Sequence, residues 1–465
     1  MSLTPDLPSA LPAGLPPAAS PEQLDAMAAD LRAAGLKPLR SAGELEGLSA
    51  DGFVYSPVLQ PLLCGLRAQL GVSVSTVDEV LLVAAACGRH QVSLTVRGAA
   101  TGNYGQCIPL AGGLLLETSS LNRLRHLEAS SGVFTAEPGI VLSDLDQQLQ
   151  HSGRELRLVP STMRTATLGG YVAGGSGGIG SLRWGFLRDP GHLLAAEVVS
   201  VEPQPRLLQL DASGAEPLNH AYGCNGIFTA LTMASAAAVP WQQVVLEFPD
   251  WSRALEAAQH LPASALLLNA LCAVEAPVAA RLPWPQGCPP AGGSGHRLLL
   301  LAAPDAMPLL QSWLPQLAGQ LIWQAPQGQS RGLPLRELTW NHTTLHLRSQ
   351  DPQLTYLQLL LPQPEGPALE GLKARWGDDL LWHLEAVRSM GRQRLACLPL
   401  VRWRGPERLQ ELIDHARELG CLLFNPHAIT VEDGGLGVVD ADQVAAKHRY
   451  DPAGLLNPGK LRGWA

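Results

Sequence analysis

Residues 167–185 read TLGGYVAGGSGGIGSLRWG, and this density of glycine constrains the fold more than any other segment of the chain. Gly175, Gly177 and Gly180 fit the G-x-G-x-x-G spacing of dinucleotide-binding Rossmann folds. That motif has to open a helix within a βαβ unit. Here SLRWGFLRDPG follows, and its glycine and Pro190 would interrupt a helix. The segment therefore argues against a Rossmann motif and predicts backbone that another group approaches closely.

An earlier loop, RGAATGNYGQCIPL at residues 97–110, lies between the strand-like runs VSLTV and LLLET. It is longer than a hairpin turn, and its small residues leave backbone N–H groups accessible. Successive amides of this kind form a concave site for phosphate. One such segment could be merely a flexible loop, but two of them, each after a strand-like run, favour a shared purpose. We predict that a pyrophosphate binds across GAATGNYGQ and that the later segment lines the rest of a long cofactor.

Composition excludes several classes of protein. The 465 residues carry a net charge of −8 without any polybasic run, which argues against binding to nucleic acid. The eight cysteines are widely spaced and include no C-x-x-C, which predicts reduced thiols. No apolar run reaches membrane length, and the first residues lack the pattern of a signal peptide. We therefore expect a cytoplasmic protein without a transmembrane segment.

Changes in composition and in the hydrophobic pattern divide the chain into four parts. Residues 1–20 are rich in Pro and Ala, which predicts a disordered tail. Residues 21–242 begin with two capped helices and then alternate β-branched runs with glycine. Residues 243–419 are Leu-rich, with Pro-rich connectors between helical and strand-like patterns, and they indicate a separate α+β domain. Residues 420–465 form a turn-rich closing segment.

Several segments resemble the FAD-linked oxidase family, whose members share a p-cresol methylhydroxylase-type (PCMH) FAD-binding domain. The matching pieces are TVRGAATGNYGQCIPLAGGLLLETSSLNRL, EPGIVLSDLDQQLQHSG, VPSTMRTATLGGYVAGGSGGIGSLRWGFLRDPGHLLAAEVV, LNHAYGCNGIFTALTMASAAA and YDPAGLLNPGKL. They cover about residues 54–242 and 420–465 and are most similar to the glycolate oxidase subunit and D-lactate dehydrogenase branch. The resemblance implies an α+β protein: a two-subdomain FAD-binding fold, an α+β cap (substrate) domain at 243–419, and a closing segment that returns to the FAD domain.

The resemblance also implies which residues contact FAD. Residues 97–106 should carry the diphosphate on backbone amides, 160–170 should lie along the ribityl chain and isoalloxazine, and 226–227 should face the adenine or ribose. Asn457, with Pro458 and Lys460, should close the domain near the flavin. The full implied set is Arg97, Gly98, Ala99, Ala100, Thr101, Gly102, Asn103, Tyr104, Gly105, Gln106, Pro160, Thr162, Thr167, Gly169, Gly170, Ala173, Ser176, Gly177, Gly226, Ile227 and Asn457.

Two details of the loop modify this picture. Ala100 stands where the family usually has glycine, and its methyl group favours a negative φ or a slight shift of the loop. Family members that bind FAD covalently often use a His in this loop or a Cys nearby. Residues 97–106 contain no His, and Cys107 reads more naturally as a small buried residue. We therefore predict non-covalent FAD.

The metal motifs of part of the family are absent from this sequence. Those members carry H-G-D-G-N-x-H in the cap and G-E-H-G near the C-terminal end. Here the first motif is missing and the second is replaced by VEDGG, with Asp433 in place of the His. A ligand set of that kind is incomplete, so we predict no metal.

His342 in TWNHTTLH and His427 in FNPHAITVEDGG are the candidates for a base that removes a hydroxyl proton. The alternative is that each is a hydrogen-bonded structural residue. We favour His427, because Glu432 and Asp433 complete a dense polar patch near it, and Glu432 could orient the base or bind an alcohol. An arginine could pair with a substrate carboxylate. Arg402 is the first candidate, and the others are Arg404, Arg348, Arg183 and Arg188.

Two functions of different class follow. The first is an FAD-dependent oxidoreductase that oxidises a small hydroxy-substituted substrate, with a 2-hydroxy acid such as glycolate or lactate favoured. The second is a redox-inactive or partner-dependent flavin-binding subunit of a multi-chain oxidase. Either protein would act with a small molecule and could require an electron acceptor or a partner subunit.

Overall fold

The computed structural model describes residues 7–175, 177–329 and 331–464. The strands in these residues are β1 Leu70–Ser73, β2 Leu94–Arg97, β3 Leu114–Glu117, β4 Leu124–Leu127, β5 Val133–Ala136, β6 Arg154–Leu156, β7 Leu193–Val199, β8 Leu207–Asp211, β9 Ile227–Ala237, β10 Gln242–Phe248, β11 Leu268–Val274, β12 His296–Ala302, β13 Gln320–Pro326, β14 Leu354–Tyr356, β15 Leu359–Leu360, β16 Leu380–Leu381, β17 His383–Ser389, β18 Arg392–Cys397, β19 Leu400–Arg402 and β20 Leu422–Leu423. The α-helices are α1 Pro21–Ala33, α2 Ala42–Leu48, α3 Gln60–Leu63, α4 Val77–His90, α5 Leu142–Gln150, α6 Leu168–Gly174, α7 Ser181–Trp184, α8 Ala212–Ala215, α9 Trp251–His260, α10 Ala276–Ala279, α11 Met307–Trp313, α12 Asn341–Arg348, α13 Glu365–Trp376, α14 Pro406–Glu418, α15 Val431–Gly434 and α16 Ala441–Tyr450. Short 3-10 helices span Gly52–Tyr55, Glu216–Leu218, Pro304–Ala306, Leu335–Leu338, Gly377–Asp379 and Arg462–Trp464.

The first subdomain is a three-stranded parallel sheet in the order β1-β3-β2, covered by α1 and α4. Ser20 and Thr76 begin the two helices with capping boxes, as their sequences predict, because each hydroxyl accepts an orphan N–H of the first turn. Val83, Leu94 and Leu116 are fully buried between helices and sheet. The loop at 97–110 therefore leaves β2 at the end of a rigid parallel sheet.

The second subdomain is an antiparallel sheet in the order β4-β5-β9-β7-β8, with β6 paired to β9. Its inner face packs against α5 and α6, with Phe134, Leu145 and Leu231 fully buried. The glycine segment forms α6 and then the four-residue α7, which ends at Gly185 with φ 80°. No long helix follows the glycines in the described part of this segment, which agrees with the rejection of a Rossmann motif.

The remaining elements form an eight-stranded sheet in the order β13-β10-β12-β11-β17-β18-β15-β20, with a small sheet β14-β19-β16 beside it. Helices α9, α11, α13 and α14 contribute buried side chains to one core with this large sheet. The predicted α+β class, with a two-subdomain part and a further α+β part, is confirmed. The domain limits at 242 and 419 remain a proposal, although the large sheet begins at Gln242 and ends at Leu423.

The segment that we expected to be a disordered tail is packed where the structure describes it. Leu11 and Leu15 lie against the buried cluster around Ile108, and the Ala19 N–H donates to Gln69 Oε1 over 3.0 Å. The low complexity of this segment did not reveal these contacts, because they depend on an apolar surface formed far along the chain. Among the described residues, no helix has both the length and the hydropathy needed to cross a bilayer.

Candidate active site

A cleft lies where the two subdomains and the α+β domain meet. Val96 of β2, Phe228 of β9 and Leu345 of α12 all line it, so each of the three parts contributes a wall. The described lining residues are Tyr55, Val96–Tyr104, Gln106, Cys107, Thr118, Pro138, Pro160–Thr162, Ala166, Thr167, Gly169–Tyr171, Ala173–Gly175, Gly177, Gly178, Tyr222, Gly223, Gly226–Phe228, Trp340–His342, Leu345 and Gln358.

The loop after β2 presents a row of backbone N–H groups to this cleft. Among the described residues, the backbone N–H groups of residues 99–103 donate no hydrogen bond. Ala100 has φ 53° and Gly105 has φ 68°, so the loop turns twice through the left-handed region. The expectation of a negative φ at Ala100 is therefore wrong, and the loop keeps a turn that costs an alanine about 1–2 kcal/mol. Consecutive amides with such turns form a concave anion site.

The two glycine-rich segments pack against each other. The Gln106 side chain donates from Nε2 to the Gly174 carbonyl over 3.0 Å. A Cβ atom at Gly98 would collide with Thr167 Oγ1, and a Cβ atom at Gly102 would collide with Gln106 Oε1. Gly98 therefore permits the close approach of the two walls, and Gly102 leaves room for the Gln106 side chain within the loop.

The segment at 457–460 contacts the loop at 97–106 on the side away from the cleft. Asn457 Nδ2 donates to the carbonyls of Gln106 over 2.8 Å and Tyr222 over 2.6 Å. Lys460 is fully buried, and its Nζ donates to the Gly105 carbonyl over 2.6 Å. The loop is thus fixed on the side away from the cleft, which leaves its amides directed at a ligand.

Most of the residues implied as FAD contacts lie on the cleft wall. The exceptions in the described chain are Gly105 and Asn457, which do not line the cleft: Gly105 accepts from Lys460, and Asn457 donates to the Gln106 carbonyl. Ser176 lies outside the described residues. The residues on the wall are Arg97, Gly98, Ala99, Ala100, Thr101, Gly102, Asn103, Tyr104, Gln106, Pro160, Thr162, Thr167, Gly169, Gly170, Ala173, Gly177, Gly226 and Ile227.

Sequence reasoning missed much of the wall contributed by the α+β domain. Trp340, Asn341 and Leu345 line the cleft at the start of α12, and Gln358 joins them from the residue before β15. Trp340 has φ 51°, and its backbone N–H donates to Glu385 Oε1 over 2.6 Å. A buried carboxylate therefore holds a left-handed tryptophan at the edge of the cleft.

His342 is the candidate base that faces the cleft. It lies on the first turn of α12 and is half-buried. Burial, together with the nearby His346 and Arg164, lowers the pKa of its imidazole to about 4, against the smaller opposing effect of the Glu337 carbonyl. The ring is therefore neutral at physiological pH and able to accept a proton.

His427, the favoured base from the sequence, does not reach the cleft in this structure. It is fully buried, with Nδ1 2.7 Å from Ser56 Oγ and Nε2 2.8 Å from the Tyr356 carbonyl. A carbonyl only accepts, so Nε2 carries the hydrogen and Nδ1 accepts from the serine. Both nitrogens are occupied, which favours a structural role for His427 over the predicted role as the base.

The other candidate polar residues are also engaged elsewhere. Glu432 accepts from the backbone N–H groups of Arg462 over 2.9 Å and Gly463 over 2.8 Å. Arg402 pairs with Asp351 over 3.1 Å at a site separate from the cleft. The remaining candidates do not line the cleft either: Asp433 pairs with Arg462, Arg404 with Asp379, Arg183 with Glu155 and Arg188 with Glu216 and Asp440, while Arg348 donates to the Leu354 carbonyl.

One group in the described chain brings metal-ligating atoms together. Cys272, His383 and Glu385 each place a possible ligand atom within 4.8 Å of the others in the buried core of the large sheet. His383 Nε2 lies 2.8 Å from Glu385 Oε1, and burial raises the pKa of the Cys272 thiol well above its usual value. Glu385 Oε1 also accepts from the Trp340 backbone N–H, whereas His383 Nδ1 has no hydrogen-bond partner among the described residues. The absence of a metal stays a prediction.

We expect turnover to be unaffected by prolonged dialysis against a chelator such as EDTA. The family's ligand motifs are missing from the sequence, and in the Cys272 cluster His383 Nε2 is already hydrogen-bonded to Glu385. Turnover before and after dialysis, together with metal content by mass spectrometry, would check this. Loss of activity that returns on addition of zinc or manganese would contradict it.

Cys107 lines the cleft but is held as a thiol. Its Sγ lies 3.7 Å from Asp51 Oδ2, and burial raises the thiol pKa. Burial also raises the pKa of Asp51 to about 6 and lowers that of the nearby Lys460 to about 8. A protonated thiol is a weak nucleophile, so these surroundings do not prepare Cys107 for covalent attachment of a cofactor.

Comparison with known families identifies the cleft. Residues 68–202 match the model of a family described as FAD binding domain. This stretch includes the whole loop at 97–106 and the glycine segment, so the match covers the two walls that the sequence singled out. It confirms the predicted FAD cofactor.

Curated relatives match a limited part of the chain. The glycolate oxidase subunit GlcD of Bacillus subtilis is 27% identical over 167 residues, which cover 35% of this chain and 35% of that protein. The D-lactate dehydrogenase of Anaerostipes hadrus is 26% identical over 186 residues, which cover 39% and 38%. The chain thus spans little more than a third of the length of these relatives.

A solved structure matches almost the whole fold. An alkyldihydroxyacetonephosphate synthase superposes with a TM-score of 0.71, covering 97% of this chain and 88% of that one at 14% identity. At this identity the likeness concerns the fold alone, and its coverage of the chain includes the α+β domain.

Proposed function

We propose that this chain is an FAD-linked oxidase with a PCMH-type FAD-binding domain and that it oxidises a small hydroxy-substituted substrate. One observation carries the proposal. A single cleft has unbonded loop amides in one wall, contributed by the FAD domain, and a neutral His342 in another, contributed by the α+β domain.

The residues present fit FAD. The amides of residues 99–103 suit the diphosphate, because a concave row of N–H groups binds an anion without a cation. Gly170 and Gly177 leave the second wall without side chains, as a flat cofactor needs. Tyr104, Tyr171 and Tyr222 add aromatic surface to the lining.

FAD, when bound, supplies the hydride acceptor. The chain contributes the rest. We assign His342 the role of receiving the hydroxyl proton on its neutral imidazole ring. Its lowered pKa keeps the imidazole unprotonated before the reaction, and its place on a helix of the α+β domain fixes the ring relative to the cleft. The aromatic and apolar walls around it, including Trp340 and Leu345, limit access of water.

The names of the relatives favour a 2-hydroxy acid such as glycolate or lactate as the first candidate substrate. We further propose a cytoplasmic location, which the eight free cysteines support. The electrons would leave through a separate acceptor or a partner subunit. The alternative function is a flavin-binding subunit that depends on a partner for turnover, since one relative is named as a subunit.

Anaerobic mixing of the FAD-loaded protein with a panel of hydroxy acids and alcohols tests the proposal. We expect at least one compound to bleach the flavin absorbance at substrate concentrations in the millimolar range or below. A flavin that dithionite reduces but no hydroxy compound does, with or without candidate partner proteins, would refute the oxidation of a hydroxy substrate.

The purified protein should be yellow and should release its flavin on acid precipitation. The loop at 97–106 contains no His, and Cys107 is a hydrogen-bonded thiol. Absorbance of the supernatant and pellet after trichloroacetic acid gives the answer. Flavin that stays with the denatured chain would contradict the non-covalent attachment.

A further inference from the structure

A second cavity of about 500 Å³ adjoins the flavin cleft and shares two wall residues with it, Trp340 and Gln358. We refer to it as the apolar chamber. Its apolar walls come from β15, from the end of β18 and the residue after it, from the residue after β20 and from the start of α15. The residues are Leu359, Leu360, Ala396, Leu398, Phe424 and Val431. Leu360 and Ala396 are register partners in the sheet, so this part of the wall is rigid. The chamber is therefore a permanent feature next to the cleft.

Three polar side chains of the apolar chamber, those of Arg188, Glu432 and His220, already have partners. Arg188 contacts both Glu216 and Asp440 within 2.9 Å. Glu432 accepts two backbone N–H groups. His220 Nδ1 lies 3.0 Å from the Gly175 carbonyl, and burial lowers the pKa of its ring to about 4, so it is neutral. Each of these groups already has a hydrogen-bond or ion-pair partner, so none of them requires a charged ligand.

The charge of the lining disfavours an anion. In the described lining of the chamber, three carboxyl groups, those of Asp189, Glu432 and Asp440, face a single cationic side chain, Arg188. The flavin cleft adds Arg97, whose guanidinium donates to the backbone carbonyls of Gly47 and Leu48. A substrate carboxylate placed here would lose hydration without gaining an unshared arginine.

The mouth of the apolar chamber is also apolar. Leu436 is 49% exposed and Val438 is 64% exposed, and both belong to the chamber lining. A path with exposed aliphatic residues at its entrance and two residues of the flavin cleft at its inner end suits a molecule that is apolar along its length.

Resting on the proposed function, we infer that the apolar chamber holds the uncharged, apolar body of the substrate, whose hydroxyl group reaches the flavin cleft past Trp340 and Gln358. The substrate class is then an alcohol with an aliphatic or aromatic body, in place of a short hydroxy acid such as glycolate. Gln358 is the polar point of the shared wall, with its Nε2 3.4 Å from Asn341 Oδ1.

Binding of linear amides to the FAD-loaded protein tests the chamber without any chemistry, since an amide such as octanamide has no hydroxyl group to oxidise. In calorimetric titrations from butanamide to octanamide, we expect affinity to rise roughly threefold to fourfold per methylene, the usual gain for burying a CH₂ group. Affinity that does not change with chain length, or no detectable binding of octanamide, would overturn the inference.

A variant with a larger side chain in the chamber wall provides a second test. Ala396→Trp should weaken octanamide binding at least about tenfold, because the indole would occupy space that the ligand needs. Ala280→Trp, on the exposed end of α10, is the matched control and should bind octanamide like the wild type. Full flavin content and an unchanged melting temperature would show that Ala396→Trp folds. Unchanged octanamide affinity in such a folded variant would overturn the inference.

Flavin bleaching separates this inference from the proposed function. We expect 1-octanol or benzyl alcohol to reduce the flavin at least about tenfold faster than glycolate at equal concentration, a difference of about 1.4 kcal/mol. Faster reduction by glycolate would overturn the substrate class and leave the oxidase function intact. Octanamide binding without reduction by any alcohol or hydroxy acid would instead refute the oxidase function and support the chamber.

Discussion

Replacing His342 by Asn should slow flavin reduction roughly a hundredfold or more, the scale on which a positioned general base contributes. Asparagine keeps a polar side chain of similar reach on α12 but cannot accept a proton at neutral pH. FAD content should remain at the wild-type level, because the diphosphate site lies on the separate loop at 97–106. Stopped-flow reduction with the best substrate of the panel, under anaerobic conditions, measures the effect.

His427→Asn is the matched control, with the same substitution at the other candidate histidine. It should leave the rate of flavin reduction unchanged and lower the free energy of unfolding by about 1–3 kcal/mol, since Ser56 and the Tyr356 carbonyl would lose their shared partner. The opposite pattern, slow reduction in His427→Asn and a normal rate in His342→Asn, would restore His427 as the base. Normal rates in both variants would show that proton transfer uses water or another group.

The pH dependence of reduction should show the lowered pKa of His342. A base works only in its unprotonated form, and burial places the pKa of this imidazole at about 4. The rate should therefore be level from about pH 8 to about pH 5 and should fall about tenfold per unit below about pH 4. A half-maximal rate near the ordinary histidine value of about 6.5 would contradict this assignment.

Gly170→Val should give a folded protein that no longer retains FAD. Gly170 lies on α6 and lines the cleft, and a Cβ atom there would meet only Thr167 Oγ1 at 3.0 Å. The added isopropyl group would thus project into the space for the cofactor. Overpacking costs about 1–3 kcal/mol, which lowers affinity about tenfold to a hundredfold. The ratio of flavin to protein absorbance after gel filtration measures retention.

Gly43→Val controls for the cost of valine in a short helix. Gly43 lies on the first turn of α2, as Gly170 does on α6, and a Cβ atom there would meet nothing within 4 Å. This variant should lose a little stability and keep its full flavin content. Equal flavin retention in both variants would show that the wall at Gly170 does not contact the cofactor.

The FAD domain was predictable because its determinants are local. Glycines in a sequence indicate where a neighbouring group packs closely against the backbone. Gly98 and Gly102 confirm this, because a Cβ atom at either position would collide with a side chain. The hydroxyls of Ser20 and Thr76 cap two helices, and their partners lie only three residues further along the chain. Such signals need no knowledge of distant contacts.

The role of His427 could not be decided from the sequence alone. A polar patch in an apolar segment indicates that its groups are either functional or paired, and the sequence cannot distinguish the two. The deciding partner, Ser56, lies 371 positions away along the chain. Glu432 is similar, because its partners are backbone N–H groups at 462 and 463 that carry no residue-type signal.

The wall from the α+β domain was missed for a different reason. Trp340 occupies a left-handed backbone that tryptophan rarely adopts, and it is stabilised there by Glu385 from another strand. No motif in the sequence predicts such an arrangement. His342 was identified as a candidate, but only the position of α12 against the cleft favours it over His427.

The bonds from the segment at 457–460 to the cofactor loop have a consequence for biosynthesis. Asn457 reaches Gln106 across 351 positions, and Lys460 reaches Gly105 across 355. At about 5–20 residues per second, the ribosome adds these partners roughly 20–70 seconds after the loop. Until then, the loop carbonyls lack their donors and the amides are not held in place. Flavin loading should therefore follow release of this segment, and ribosome-bound chains stalled before residue 457 should not retain FAD.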